Sequence, residues 1–373
     1  MPHEKTRTPT HMTTPAAETS RSHHRPSGPE QPHRRRRALR WALISLAVLV
    51  VAGAGTGYWL YSDLDSNIKG IDIDKAIGDN RPQKLPTSGQ NILILGSDSR
   101  AGANGKLVGD TSVLGARSDT AMVMHIPEGR TKAVAVSIPR DTLVTRPKCT
   151  TADGSTVASA KRVMFNSVYS QVGPACVVKT VEQMSGVRMD HYVEIDFAGF
   201  KDLVDAIGGV TVTVDQDIHD RSSGLNITKG THKLDGTQSL QFVRTRHGIG
   251  DGSDLGRIGL QQQFMLALLS EIKKQDLLGS PTKAYKIADT LTAALTTDSG
   301  LASLTKLAEF GRSLNGVDPS TMETIMLPVA YDKIDPNRVV AAQPQASTLW
   351  KAIRNDTTIP ESAKKSPATG GSS

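Results

Sequence analysis

The chain has 373 residues, 38% of them hydrophobic, with 33 Gly and 19 Pro. That composition excludes a collagen-like or wholly disordered chain and leaves room for one large domain, or two small ones, plus appendages. The net charge of +7 is concentrated in residues 1–40, where nine Lys/Arg face three Glu; the rest is near neutral and offers no basic surface for nucleic acid.

Residues 1–40 are rich in Pro, Thr, His and Ser without apolar periodicity and read as a disordered basic cytoplasmic tail. Their histidines (His3, His11, His23, His24, His33) lack the spacing of a metal site. Residues 41–62 carry no charge and are long enough to cross a bilayer as one helix. Arg34–Arg37 and Arg40 precede this run and Asp63 and Asp65 follow it, so the positive-inside bias places the N-terminus in the cytoplasm and the remainder outside the cell membrane. A cleaved signal peptide is the alternative, but Tyr58-Trp59-Leu60-Tyr61 reads as an interfacial anchor, not a small-residue cleavage site.

Residues 63–88 form a polar connector, 89–358 an extracytoplasmic domain and 359–373 a loose tail. Within the domain the pattern predicts strands at Asn91–Leu95, Ala121–Ile126, Ala133–Ile138, Tyr192–Ile195, Val210–Val214 and Thr324–Leu327. It predicts helices at Cys176–Met184, Phe197–Ala206, Gly236–Val243, Arg257–Lys273, Thr282–Leu295, Leu301–Ser313 and Ala346–Arg354. Asp196 and Asp235 are placed as N-caps and Gly208-Gly209 as a helix stop. The alternation of strands and helices gives an α/β class: a mixed central β-sheet flanked by helices, behind one N-terminal transmembrane helix. Cys149 and Cys176 lie beyond the membrane, where an oxidising compartment permits a disulfide; a nucleophilic thiol is the other reading, for which no base is in evidence.

The runs on either side of Pro127–Arg130 form a hairpin that sets Asp119 across from about Ile138. Arg117 and Asp119 then share a sheet edge with Arg140 and Asp141, and a strand at Asn91–Leu95 parallel to Ala133–Ile138 delivers Asp98 and Arg100 to the same edge. Carboxylates for a hard cation beside guanidiniums for phosphate oxygens form the apparatus of phosphoryl transfer; surface ion pairing is the plain alternative. Farther on, Arg244 and Arg246 reach one ligand only if their helix ends there, as the glycines that follow suggest, and Arg257 opens the next helix, whose N–H groups suit an anion; the alternative is that the glycines simply join two helices and the arginines are solvated. His247 reads as a loop residue, His125 and His191 as structural.

Asn91-Ile-Leu-Ile-Leu-Gly-Ser-Asp98-Ser-Arg100, Arg117-Ser-Asp119-Thr, Ser137-Ile-Pro-Arg140-Asp141, the run Phe197–Val210, and Arg244-Thr-Arg246 followed by Ser253-Asp254-Leu-Gly-Arg257 occur in that order. Together they resemble the LytR-CpsA-Psr family in an actinobacterial style. The resemblance implies a membrane-anchored phosphotransferase. It would move a glycopolymer, such as a teichoic acid, from a polyprenyl (undecaprenyl) diphosphate carrier to peptidoglycan through a phosphodiester. It further implies that Asp98 and Asp119 bind Mg2+, that Arg100, Arg117, Arg140, Arg244, Arg246 and Arg257 hold the phosphates, and that Asp98, Asp119, Arg140 and Arg244 are the catalytic set. Asp251 and Asp254 are the weak candidates for a general base. In Arg257-Ile-Gly-Leu260-Gln261, Leu260 stands where such proteins usually carry a second arginine. That departure motivates the other reading, a protein that binds a polyprenyl phosphate or wall polymer without turnover.

Overall fold

Alternation along one strand decides the centre of the molecule. In Asn91–Leu95 the side chains of Leu93 and Leu95 enter one apolar cluster, and those of Ile92 and Ile94 enter another on the opposite face. The computed structural model describes residues 32–84, 87–97, 118–130, 132–151, 153–246, 254–275 and 279–369. Residues 1–57 and 58–373 form two separate units. Helix α1 (Pro32–Asn67) contains a stretch, Leu39–Asn67, long and apolar enough to cross a membrane.

The second unit is built on a seven-stranded mixed sheet. Its strands are β1 (Lys69–Ile71), β2 (Gln90–Ser97), β3 (Ser118–Ile126), β4 (Val134–Ser137), β5 (His191–Asp196), β6 (Leu295–Asp298) and β7 (Glu323–Met326), in the spatial order β1-β6-β5-β2-β3-β4-β7. β2 runs parallel to β5 and antiparallel to β3, and β3 runs antiparallel to β4. β2 and β4 thus point the same way with β3 between them, and their exits share one end of the sheet.

The β3–β4 register differs from the sequence expectation by two residues. Met122 pairs with Ser137, and the Ile138 N–H donates to the Ala121 carbonyl at 2.8 Å, so Ile138 lies opposite Ala121 and not Asp119. The turn Pro127–Arg130 forms, with the Arg130 N–H donating to the Pro127 carbonyl at 2.9 Å, but pairing does not resume until Val134. A shift of two preserves which side chains face which side.

Helices α2 (Ile73–Ile77), α3 (Phe165–Val172), α4 (Pro174–Ser185) and, near the C-terminus, α10 (Gln345–Arg354) serve one core. The disulfide Cys149–Cys176 (Cα–Cα 5.7 Å) ties α4 to the chain after β4. The other face carries α5 (Phe197–Ile207), α6 (Gly236–Arg244), α7 (Asp254–Lys273), α8 (Pro281–Ala294) and α9 (Leu304–Ser313), together with a hairpin of Val210–Val214 and Gly230–Leu234. Both expected N-caps form: Asp196 accepts from the Gly199 N–H at 2.7 Å, and Asp235 makes a capping box with Gln238. Gly208 ends α5 in the left-handed region at φ 91°, where a side chain would be strained.

Two segments read as loose are integral to the domain. In 63–88, β1 pairs with β6, Ile73 and Ile77 enter the core, and buried Arg81 bonds to Glu182 and to the Met189 carbonyl. In the C-terminal segment Ile359, Ala363 and Ala368 are buried and the Ser366 hydroxyl donates to the Val329 carbonyl at 2.9 Å. A few isolated apolar residues in polar surroundings show no periodicity, so pattern alone does not reveal their docking.

Candidate active site

The site grows from the end of α6. The helix stops at Arg244: Thr245 is extended (φ −61°, ψ 134°), its hydroxyl donates to the Gln241 carbonyl at 2.9 Å, and the Arg246 N–H turns out to the Asp220 carboxylate at 2.8 Å. That break brings Arg244 and Arg246 to one cavity although they are two residues apart, a spacing that would separate them on an intact helix. The Arg244 guanidinium lies over the Phe197 ring, 5.5 Å from its centroid. From the first turn of α7, Arg257 completes a set of three guanidiniums around a cavity of about 240 Å³. Ser222 and Ser223, which line it too, sit on a turn organised by Asp220, whose carboxylate accepts from the Ser222 N–H at 2.8 Å.

Gln261, one turn beyond Arg257, donates from Nε2 to the Val243 carbonyl at 3.1 Å and locks α7 to the end of α6. Gln262 donates to the Ser137 hydroxyl at 3.0 Å and locks α7 to the exit of β4. The arginines are therefore held on helix ends braced against the sheet, which reduces the ordering entropy lost on binding.

Thr120, Phe197, Val243 and Gln261 line this cavity and also a second one of about 250 Å³. The second is almost wholly apolar, running between Ile94, Met122 and Met124 of the sheet and Phe200, Phe264 and Leu268 of α5 and α7. A cationic mouth opening on an apolar slot suits an amphiphile with an anionic head and a hydrocarbon tail.

The structure brings together Arg244, Arg246 and Arg257 of the residues singled out by sequence. Arg140 follows β4 at the same sheet end; its carbonyl accepts from the Asn166 N–H at 3.1 Å and its Nε is 3.8 Å from Asp141, and it is not among the lining residues. Asp119 occupies a β-bulge: Gly96 pairs with Thr120 and Ser97 with Ser118, leaving Asp119 as the extra residue. Its side chain, and all of Asp98, Arg100, Arg117, His247 and Asp251, lie outside the described residues, as does the side chain of Asp254. Among the described residues no group of three or more His, Cys, Asp and Glu is arranged to hold a metal.

Leu260 does not line the arginine cavity. It is buried in the cluster formed with Val214, Ile218 and Phe264, so its lack of charge leaves the three guanidiniums as they are. Sequence reasoning missed Thr120, Phe197, Val243, Ser222 and Ser223 as lining residues. Ser222-Ser223 carried only a turn signal, and the others read as ordinary strand and helix positions.

Residues 60–355 match the LytR_cpsA_psr family. The chain belongs to the LytR-CpsA-Psr family. It is 29% identical over 285 residues to the cell wall biosynthesis protein LcpA of Corynebacterium glutamicum, covering 69% of this chain and 54% of that one, so it spans about half the length of that relative. It is 31% identical over 244 residues to TagU of Bacillus cereus, named a polyisoprenyl-teichoic acid–peptidoglycan teichoic acid transferase, covering 64% of this chain and 72% of that one. A solved LytR-Csp2A-Psr enzyme from Actinomyces oris superposes with a TM-score of 0.56 at 24% identity, over 76% of this chain and 95% of that one, and shares the fold.

Proposed function

We propose that this protein is a membrane-anchored phosphotransferase that moves a glycopolymer from a polyprenyl diphosphate carrier to peptidoglycan. The observation that carries the reading is the junction of the three-arginine cavity with the apolar slot: diphosphate at the guanidiniums, polyprenyl chain along Ile94, Met122 and Met124. The name of the Bacillus cereus relative supports the donor and acceptor classes. An acceptor hydroxyl attacks the phosphorus bonded to the sugar; its new P–O bond forms as the bond to the bridging oxygen breaks, its proton passes to solvent water, and polyprenyl phosphate departs. Arg244, Arg246 and Arg257 neutralise charge on the phosphates and orient them for in-line displacement. Asp98 and Asp119 are the residues that would hold Mg2+, which supplies further charge neutralisation on a diphosphate. On this reading the N-terminal tail lies in the cytoplasm and the domain outside, which Arg34–Arg37 before the membrane helix and a closed disulfide beyond it support.

The reading without turnover rested on Leu260, and its burial away from the arginine cavity removes that motive. Full-length protein in vesicles, given a lipid-diphosphate-linked oligosaccharide, peptidoglycan and Mg2+, is expected to release polyprenyl phosphate and yield a phosphodiester-linked product. Asp98→Ala should reduce turnover with substrate still bound, whereas Arg246→Ala should weaken binding of polyprenyl phosphate itself. Undiminished turnover under a chelator would refute the metal role, and binding without product under all conditions would refute transfer.

A further inference from the structure

Outside α1, two large apolar side chains among the described residues stand exposed: Tyr331 at 50% and Ile334 at 78%. Both belong to one hairpin, in which Val329–Tyr331 pairs with Val339–Ala341. The tip is stiff. The Asp332 carboxylate accepts from the Ile334 and Asp335 N–H groups at 2.9 and 2.8 Å and takes a two-pronged bond from Arg162 at 3.0 and 2.7 Å. Arg162 holds this carboxyl well below the usual range. The Asp332 N–H closes the loop on the Arg338 carbonyl at 2.9 Å, and Arg338 reaches Asp141 at 3.4 Å. Holding an isoleucine rigidly in water has no folding benefit, whereas moving that side chain into apolar surroundings is favourable.

The most deeply placed charge at the tip is an acid, and lysines stand outermost. Asp332 is buried and Asp141 half-buried, whereas Lys161, Lys333, Arg162 and Asp335 all reach solvent, Arg162 while bonded to Asp332. An apolar point ringed by outward cations complements an anionic lipid surface, with hydrocarbon for the point and headgroup phosphates for the ring. Its place in the fold agrees. β7 runs parallel to β4 and leaves the sheet beside Ser137, Thr142 bridges to Val339, and Asp141 joins Arg140 to the hairpin. The tip therefore stands at the end of the sheet where β2 and β4 exit, and the same chain carries its own membrane helix.

We propose that the 331–338 hairpin tip is an interfacial membrane contact, seating Ile334 and Tyr331 below the headgroups of an anionic leaflet with Lys333 and Lys161 on its phosphates, while Arg162 stays on Asp332 and stiffens the tip. The test reads depth, not turnover, so its failure is separable from failure of the transferase reading. The chain's two cysteines are both in the disulfide, so Ile334→Cys supplies a single thiol for a nitroxide. Full-length protein goes into phosphatidylglycerol-rich vesicles, and relaxation by oxygen and by a water-soluble nickel chelate gives immersion; Lys351→Cys, exposed on α10, serves as the aqueous reference. Expected is a label at 334 at least tenfold less accessible to the chelate relative to oxygen than the label at 351, with a shallower position in phosphatidylcholine alone. Equal chelate accessibility at both positions would overturn the proposal. So would a label at 334 that stays aqueous in vesicles and is immobilised on adding peptidoglycan or another protein, since the tip would then serve a wall or protein partner.

Discussion

The two faces of the central sheet are made from the same strands and end differently. On the face carrying α3, α4 and α10, Leu93, Leu95, Val123 and Val136 meet Phe165, Val168, Val181 and Leu349, all essentially inaccessible to solvent. On the other, Ile94, Met122 and Met124 border a slot of about 250 Å³ that α5 and α7 span without filling. Branched side chains of fixed shape interdigitate on the first face; methionines, with three rotatable bonds and no fixed shape, line the second. Apolar composition alone therefore does not tell a filled core from an open slot; what differs is whether the facing helix closes on the sheet.

Truncation on the closed face should show the largest effect on stability. Leu93→Ala is expected to cost about 2–5 kcal/mol, read as a lower denaturation midpoint, because the packed surroundings cannot collapse into the space. A loss under about 1 kcal/mol would make the two faces equivalent. Opening the disulfide by Cys149→Ala with Cys176→Ala should cost about 3–4 kcal/mol for a sequence separation of 27 residues, with binding at the arginines retained. On the open face, Met124→Trp should fill the slot at a stability change below about 1 kcal/mol while lowering polyprenyl phosphate affinity at least tenfold, about 1.4 kcal/mol by titration. If Met124→Trp unfolds the protein, the slot is packed core after all.

The smallest effect is a slope with pH. His125 is buried, and burial pushes its pKa below the ordinary 6.5 although Asp356, 3.1 Å from Nε2, draws it up. Because the folded imidazole takes its proton at a lower pH than the unfolded chain does, stability should decline as pH falls below about 6.5. His125→Asn should flatten that part of the melting-temperature profile; an unchanged slope would assign it elsewhere.

The sequence disclosed strands and helices wherever a period ran for five residues or more, as in Asn91–Leu95 and the helix around Phe197–Ala206. It did not disclose β6, whose Leu-Thr-Thr-Asp follows Ala294 with no breaker between helix and strand, nor β1, three residues long. Helix α3, Phe-Asn-Ser-Val-Tyr-Ser-Gln-Val, is poor in strong helix formers and is defined by packing of Phe165, Val168 and Val172. The hairpin register was misjudged because turn length depends on backbone geometry that a sequence does not print. For the site, Arg244, Arg246 and Arg257 were legible because glycines after a helix announce its end, whereas the apolar slot was not, since Ile94 and Met122 read the same whether they touch a helix or a lipid.

The stop of α6 at Arg244 has a consequence for where recognition is encoded. Asp220 and Ser223, on a turn distant in sequence, hold Arg246 and Thr245 out of helical geometry, the Asp220 carboxylate accepting from the Arg246 N–H and the Ser223 hydroxyl donating to Thr245 Oγ1. Were the helix to continue, two further residues would rotate the second guanidinium by about 200° from the first. The triplet Arg-Thr-Arg grafted onto another scaffold would thus carry two cations but not their convergence, which belongs to the neighbours that interrupt the coil.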